Sequence, residues 1–207
     1  MVREQLGAAV VAERVDQADL LATLRADQWD APTLCDGWRV REVVAHLTMP
    51  FRTSLGRTVR ELVKARGDVN RMADRAARRD AAELSTGQLL AALRDNVTHP
   101  WTPPGGGVHG ALSHDVIHGL DITVGLGLER RVPPDRIALV LSGMRARNVR
   151  FFGADLDGVR LQATDLDWSH GTGVPLRGLA QDLLLVLCGR RLPPGHLTGP
   201  AAGRFAR

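Results

Sequence analysis

The stretch Ser113-His114-Asp115-Val116-Ile117-His118-Gly119-Leu120-Asp121 decides how the rest of the chain is read. As a helix it puts His114 and His118 one turn apart on a common face, because side chains four apart in a helix point the same way. Two imidazoles so placed suit one metal ion. A structural zinc ion takes four protein ligands, whereas a catalytic one takes three and keeps a position for water or substrate. The third candidate is His46, which stands in the apolar run Val43-Val44-Ala45-His46-Leu47. Asp121, three residues after His118, can accept that ring's other N–H, or can turn to another element or to solvent. Asp115 is turned about 100° from His114 on the wheel and reads as a surface or cap residue. The competing reading makes all three histidines ordinary core or groove residues, since an H-x-x-x-H pair alone is a weak signal. His99, His109 and His170 are further candidates, each more simply read as polar surface.

Outward from that stretch, apolar periodicity predicts helices over about Glu4–Asp27, Val40–Arg66, Ser85–Asn96, Val108–Leu126 and Pro134–Val149. Ser85 is placed to cap the third of these. The run from Gly67 to Asp80 reads as a connection or as helix ends with a solvated, charged face. Thr98 to Gly107, with Pro100, Pro103, Pro104 and three glycines, is a long loop leading into the histidine segment. Beyond residue 150 the pattern alternates, with strands expected over 158–164, 167–171 and 173–177 and a short apolar helix over Leu179–Cys188. The expected fold is mainly α: a helical bundle over residues 1–150 that carries the metal, and a small C-terminal α+β subdomain over 151–207 packed on it.

Of the 207 residues 44% are hydrophobic and 24% charged, the make-up of a globular chain rather than a disordered one. No run approaches 18 consecutive apolar residues and the first residues are broken by charges, so the expected setting is the cytoplasm, with no membrane partner. The net charge of +4 comes from arginine, with Lys64 the sole lysine. The arginines are scattered among acids without interleaved aromatics, which argues against nucleic acid as a partner. Cys35 and Cys188 are too far apart in sequence for a CxxC site and carry no catalytic signature. Trp38, Trp101 and Trp168 are candidates for a pocket mouth. Arg145, Arg147, Arg150 and Arg177 could form a cationic wall, although solvated helix arginines are the simpler reading of each.

Three blocks resemble a known family: Pro32-Thr33-Leu34-Cys35-Asp36-Gly37-Trp38-Arg39-Val40-Arg41-Glu42-Val43-Val44-Ala45-His46-Leu47, then His118-Gly119-Leu120-Asp121, then Ala163-Thr164-Asp165 through Gly189-Arg190. The chain is similar along nearly its whole length to the mycothiol-dependent maleylpyruvate isomerases of the DinB-like superfamily. The resemblance implies a DinB-like four-helix bundle with a smaller C-terminal part, and a divalent metal held by His46, His114 and His118. Isomerase-like members usually carry a glutamate at the position of His114, so here the implied set is three histidines. The implied activity is isomerisation or S-transfer on small electrophilic substrates, with mycothiol as the low-molecular-weight thiol. The alternative is a DinB-like metal- or ligand-binding protein without turnover.

Three imidazoles suit zinc first, with nickel or iron possible. A metal bound there would favour the thiolate form of a thiol, which is the reactive form. The catalytic set expected is His46, His114 and His118 acting through the metal, with Asp121 behind His118. The protein is expected to be a monomer or homodimer.

Overall fold

The structure, a computed structural model, describes residues 2–207. It divides into two compact units, one ending at His118 and one running from Gly119 to Arg207. The division falls inside the helix that carries the histidine pair.

The first unit is helical. Helix α1 (Val2–Ala22) buries Leu6, Val10, Ala18 and Leu21, as its periodicity predicts. In the middle of that stripe, however, Glu13, Arg14 and Gln17 are buried too, while Val15 is 40% exposed. Polar residues interrupt the apolar face where it meets the histidine helix. The short α2 (Ala26–Trp29) follows, and then α3 (Val40–Arg52).

The predicted single helix from Val40 to Arg66 is two, α3 and α4 (Leu55–Lys64), for a local reason. Pro50 has no N–H to give the carbonyl four residues back, that of His46, and the helix ends within a few residues. Ser54 then caps α4 by accepting from the Arg57 amide at 3.4 Å. The charged run read as a connection is helix α5 (Val69–Glu83), capped by Asp68, which accepts from the Arg71 amide at 2.9 Å. Its buried face is Met72, Ala76, Ala77 and Ala81, together with the acid Asp80, and it packs on α3. Helix α6 (Thr86–Arg94) begins at the expected Ser85 cap and packs on α1 and α3. Residues 95–106 form the predicted loop, and α7 (Gly107–Gly125) carries the histidine pair.

The second unit takes in the rest of α7, α8 (Pro134–Gly143), α9 (Ala146–Phe152) and a four-stranded sheet. The predicted helix to Val149 is thus two, with Arg145 at the start of the second. The strands are β1 (Val159–Ala163), β2 (Ser169–His170), β3 (Val174–Gly178) and β4 (Leu197–Thr198), in the order β2-β1-β3-β4. The β1–β2 and β3–β4 pairs are antiparallel, and β1–β3 is parallel with Leu161 opposite Leu176. Gly173, at φ +123°, lets β3 enter against the Gly158 carbonyl, which a Cβ would strike. Helix α10 (Ala180–Leu187) supplies the core, with Leu183, Leu184, Leu185 and Val186 wholly buried. No described helix is long and apolar enough to cross a membrane.

Candidate metal centre

The geometry of α3 places His46. Glu42 stands in the first turn of that helix, where its carboxylate accepts from the Arg39 backbone N–H at 2.8 Å and from the Arg39 side chain, and so fixes the helix start. Burial pushes the Glu42 carboxyl up, but the bonds from Arg39 outweigh it and hold the group below the usual glutamate range. One turn on from Glu42, His46 projects half-buried toward α7.

The three predicted histidines converge. Nε2 of His114 lies 3.0 Å from Nε2 of His46, and one ring nitrogen from each of His46, His114 and His118 falls within 4.8 Å of the others. The ring centroids are 4.9–5.0 Å apart. Around one zinc ion with tetrahedral bonds of 2.0–2.1 Å, ligand nitrogens stand about 3.3 Å apart. The donor set fits a divalent ion, and the rings are partly exposed, so that a fourth position would be reachable.

The orientation of His114 has a cause that the sequence reading missed. Its Nδ1 is 3.0 Å from Oδ1 of Asp115, and the other carboxylate oxygen accepts from Nε of Arg14 at 2.7 Å. Asp115 is therefore no surface residue: it is 2% exposed, and its partner Arg14 is 1% exposed. Gln17 of α1 also donates to the Asp115 carbonyl. A carboxylate that accepts from Nδ1–H leaves the lone pair on Nε2, the nitrogen turned to His46. Helical-wheel geometry misled here because adjacent side chains can still meet at their tips. The arginine that buries the acid comes from a helix about a hundred residues earlier.

One more neighbour was not read as a site residue. Cys35 lies with its Sγ 3.7 Å from Nδ1 of His118. It sits in a braced turn where the Thr33 amide donates to the Trp38 carbonyl and the Trp38 amide to that of Cys35. Of the three tryptophans, Trp38 and Trp101 do reach the cluster. Trp38 stands 5.2 Å from His46, with its indole N–H given to Asp74 at 2.8 Å, and Trp101 stands 5.2 Å from His114. Trp168 instead stacks on the exposed His170 in the second unit. The cluster does not include His99, His109 or His170. His99 nevertheless packs against Phe51 and accepts the Trp101 amide on Nδ1. Arg145, Arg147 and Arg150 are exposed, and Arg177 donates to Gln162 within the sheet.

Asp121 is fully buried in the second unit. Both of its oxygens accept from Arg190, from Nε and Nη2, each at 2.9 Å. Arg190 follows Gly189, whose left-handed conformation at φ +74° ends α10. Cys188, beside it, is buried, and that burial pushes its thiol up to about 12.

These features can be set beside known proteins. Residues 10–100 match the sequence profile of the mycothiol maleylpyruvate isomerase N-terminal domain. No curated protein matches the chain. Among solved structures, the crystal structure of the mycothiol-dependent maleylpyruvate isomerase aligns with a TM-score of 0.63 at 12% identity, over 96% of this chain and 93% of that one. A histidine-to-alanine mutant of that isomerase aligns with a TM-score of 0.60 at 13% identity over the same shares. The fold is theirs, and residues 10–100, which include the Cys35–Trp38 turn and His46, are similar in sequence to the mycothiol maleylpyruvate isomerase N-terminal domain.

Proposed function

We propose that this protein is a divalent-metal-dependent enzyme that uses mycothiol, or a closely similar small thiol, to isomerise small electrophiles or to transfer sulfur to them. The observation that carries the reading is the convergence of His46, His114 and His118, with Nε2 of His114 and Nε2 of His46 only 3.0 Å apart. His46, His114 and His118 would hold the ion, zinc in preference to nickel or iron. When bound, the ion supplies positive charge that favours a thiolate near neutral pH.

The chain's own residues do the rest. Asp115 accepts a hydrogen bond from Nδ1–H of His114 and so fixes its ring. Asp121, already held by Arg190, is proposed to serve the ring N–H of His118 in the same way. Trp38 and Trp101 wall the cluster and limit the water that reaches it. The chemistry supported is reversible addition of a thiol to a conjugated double bond, which permits rotation before the sulfur leaves. If the adduct is retained, the outcome is S-transfer. The setting proposed is cytoplasmic, with a small-molecule thiol and electrophile as partners, no nucleic acid or membrane, and a monomer or homodimer as the working unit.

The test is metal content together with thiol dependence. Purified protein is expected to hold about one zinc per chain after reconstitution and to consume an electrophile such as maleylpyruvate only when mycothiol is supplied. Loss of both in His46→Ala and His118→Ala supports the reading. Turnover that persists in those variants, or that needs no thiol, overturns it.

A further inference from the structure

Arg14 does more than neutralise Asp115. Its Nε holds the carboxylate behind His114, while Nη1 reaches the other way to the His99 carbonyl at 2.7 Å and the Val97 carbonyl at 3.4 Å. Those carbonyls belong to the irregular loop 95–106, which carries Trp101 to within 5.2 Å of the His114 ring. The guanidinium also lies 5.0 Å over the Phe51 ring, which in turn meets His99 at 5.0 Å. Its third nitrogen, Nη2, is buried and has no hydrogen-bond partner among the described residues. One buried cation thus holds the carboxylate behind a candidate ligand on one side and the loop beside that ligand's ring on the other.

We propose that Arg14 is a positioning residue that couples metal loading at His114 to docking of the loop 95–106, with Trp101 closing against the loaded site. The proposal rests on the metal reading above. The loop lacks the regular backbone ladder that would hold it in place by itself, so the bonds from Arg14, the edge-on contact of Trp101 with His114 and the packing of His99 on Phe51 hold it docked. The first two require the His114 ring and the Asp115 carboxylate in one orientation, the orientation in which Nε2 faces His46. A ligand that fixes that ring therefore favours the docked loop, and by linkage a docked loop favours the ligand to the same degree. Replacing arginine by lysine keeps a charge for Asp115 but loses the planar fork that reaches both partners at once.

The experiment is backbone hydrogen exchange over residues 95–106 in the full chain, with and without zinc, alongside zinc affinity by competition with a chromophoric chelator. In wild-type protein zinc is expected to slow exchange in the loop by about fivefold or more, the low end of ordinary coupling between two sites. Arg14→Gln is expected to lose that slowing and to bind zinc about 10- to 100-fold more weakly. Arg14→Lys should recover most of the affinity and the visible spectrum of the cobalt-loaded site, but not the loop protection. A purely structural arginine would not split the two readouts. Wild-type protein that binds no zinc overturns the metal reading and the coupling together. Zinc uptake by wild-type protein with unchanged exchange in the loop overturns the coupling alone, whether or not the variants fold.

Discussion

Helix α7 carries two buried aspartates, and each is held by an arginine from far away in sequence, but the two pairs are built differently. Asp115 divides its oxygens, Oδ1 to the ring of His114 and Oδ2 to Arg14. Asp121 gives both oxygens to the fork of Arg190, in the bidentate geometry that makes an arginine–carboxylate pair strongest. The first is arranged to pass an orientation on to its histidine. The second is arranged to hold Arg190, and whatever it offers His118 comes from the remaining lone pairs. An acid next to a candidate ligand can therefore serve mainly the ligand or mainly the core, and the division of its two oxygens tells which.

Removing each acid puts that difference to the test, and these are the largest effects expected. Asp115→Ala strands the buried Arg14, which typically costs about 3–5 kcal/mol in denaturant unfolding, and Asp121→Ala, whose partner Arg190 is partly exposed, is expected to cost less. Zinc affinity should separate them. A loss of about 10- to 100-fold is expected for Asp115→Ala, against a smaller loss for Asp121→Ala. Equal losses would break the comparison by showing that His118 depends on its acid as fully as His114 does. Asp115→Asn sharpens it further, because an amide oxygen still accepts from Nδ1–H but no longer neutralises Arg14. Stability is then expected to suffer more than metal binding.

The two cysteines repeat the contrast between the units on a smaller scale. Cys35 is partly exposed beside His118, whereas Cys188 is buried with its thiol raised to about 12. Only the thiolate reacts, so a maleimide is expected to label one thiol per native chain, at Cys35, and the second only after denaturation. Labelling of Cys188 in native protein, followed by peptide mass spectrometry, would show that the end of α10 opens far more readily than its packing implies.

What could be read from the sequence, and what could not, follows the range of the interactions. His46, His114 and His118 were legible because helical spacing and an apolar run are local properties. The strands β1 and β3 and the Ser85 cap were legible for the same reason. Helix α5 was hidden because its buried face is mostly alanine, which carries little hydrophobic signal beside Arg71, Arg75, Arg78 and Arg79. Asp80 within that run also looked like surface, yet it is buried and accepts from Arg52 at 2.8 Å. The break between α3 and α4 could have been taken from Pro50. Arg14–Asp115 could not, since nothing local in α1 marks one buried guanidinium among so many arginines.

The smallest effects expected are in the pH dependence, where the two units should slope in opposite directions. In the first unit Glu42 is held below its usual range by Arg39, despite its burial. Folding then disfavours its protonation, so its contribution is complete above the ordinary glutamate range and is lost as the pH falls through the lowered folded value. In the second unit Asp182 is 1% exposed, and burial raises its carboxyl against the pull of His196 at 3.1 Å. There the folded state holds its proton more tightly, so stability declines as the pH rises from the ordinary aspartate range through the raised value, and is flat above it. Glu42→Gln should flatten the first slope and cost about 0.3–1 kcal/mol near neutral pH, the worth of a carboxylate at a helix start. Asp182→Asn should flatten the second. Exchange-detected unfolding between pH 3 and 7, followed separately at amides of α3 and α10, measures both slopes. Slopes of the same sign in the two helices would show that one of these acids is not governed by the environment the structure gives it.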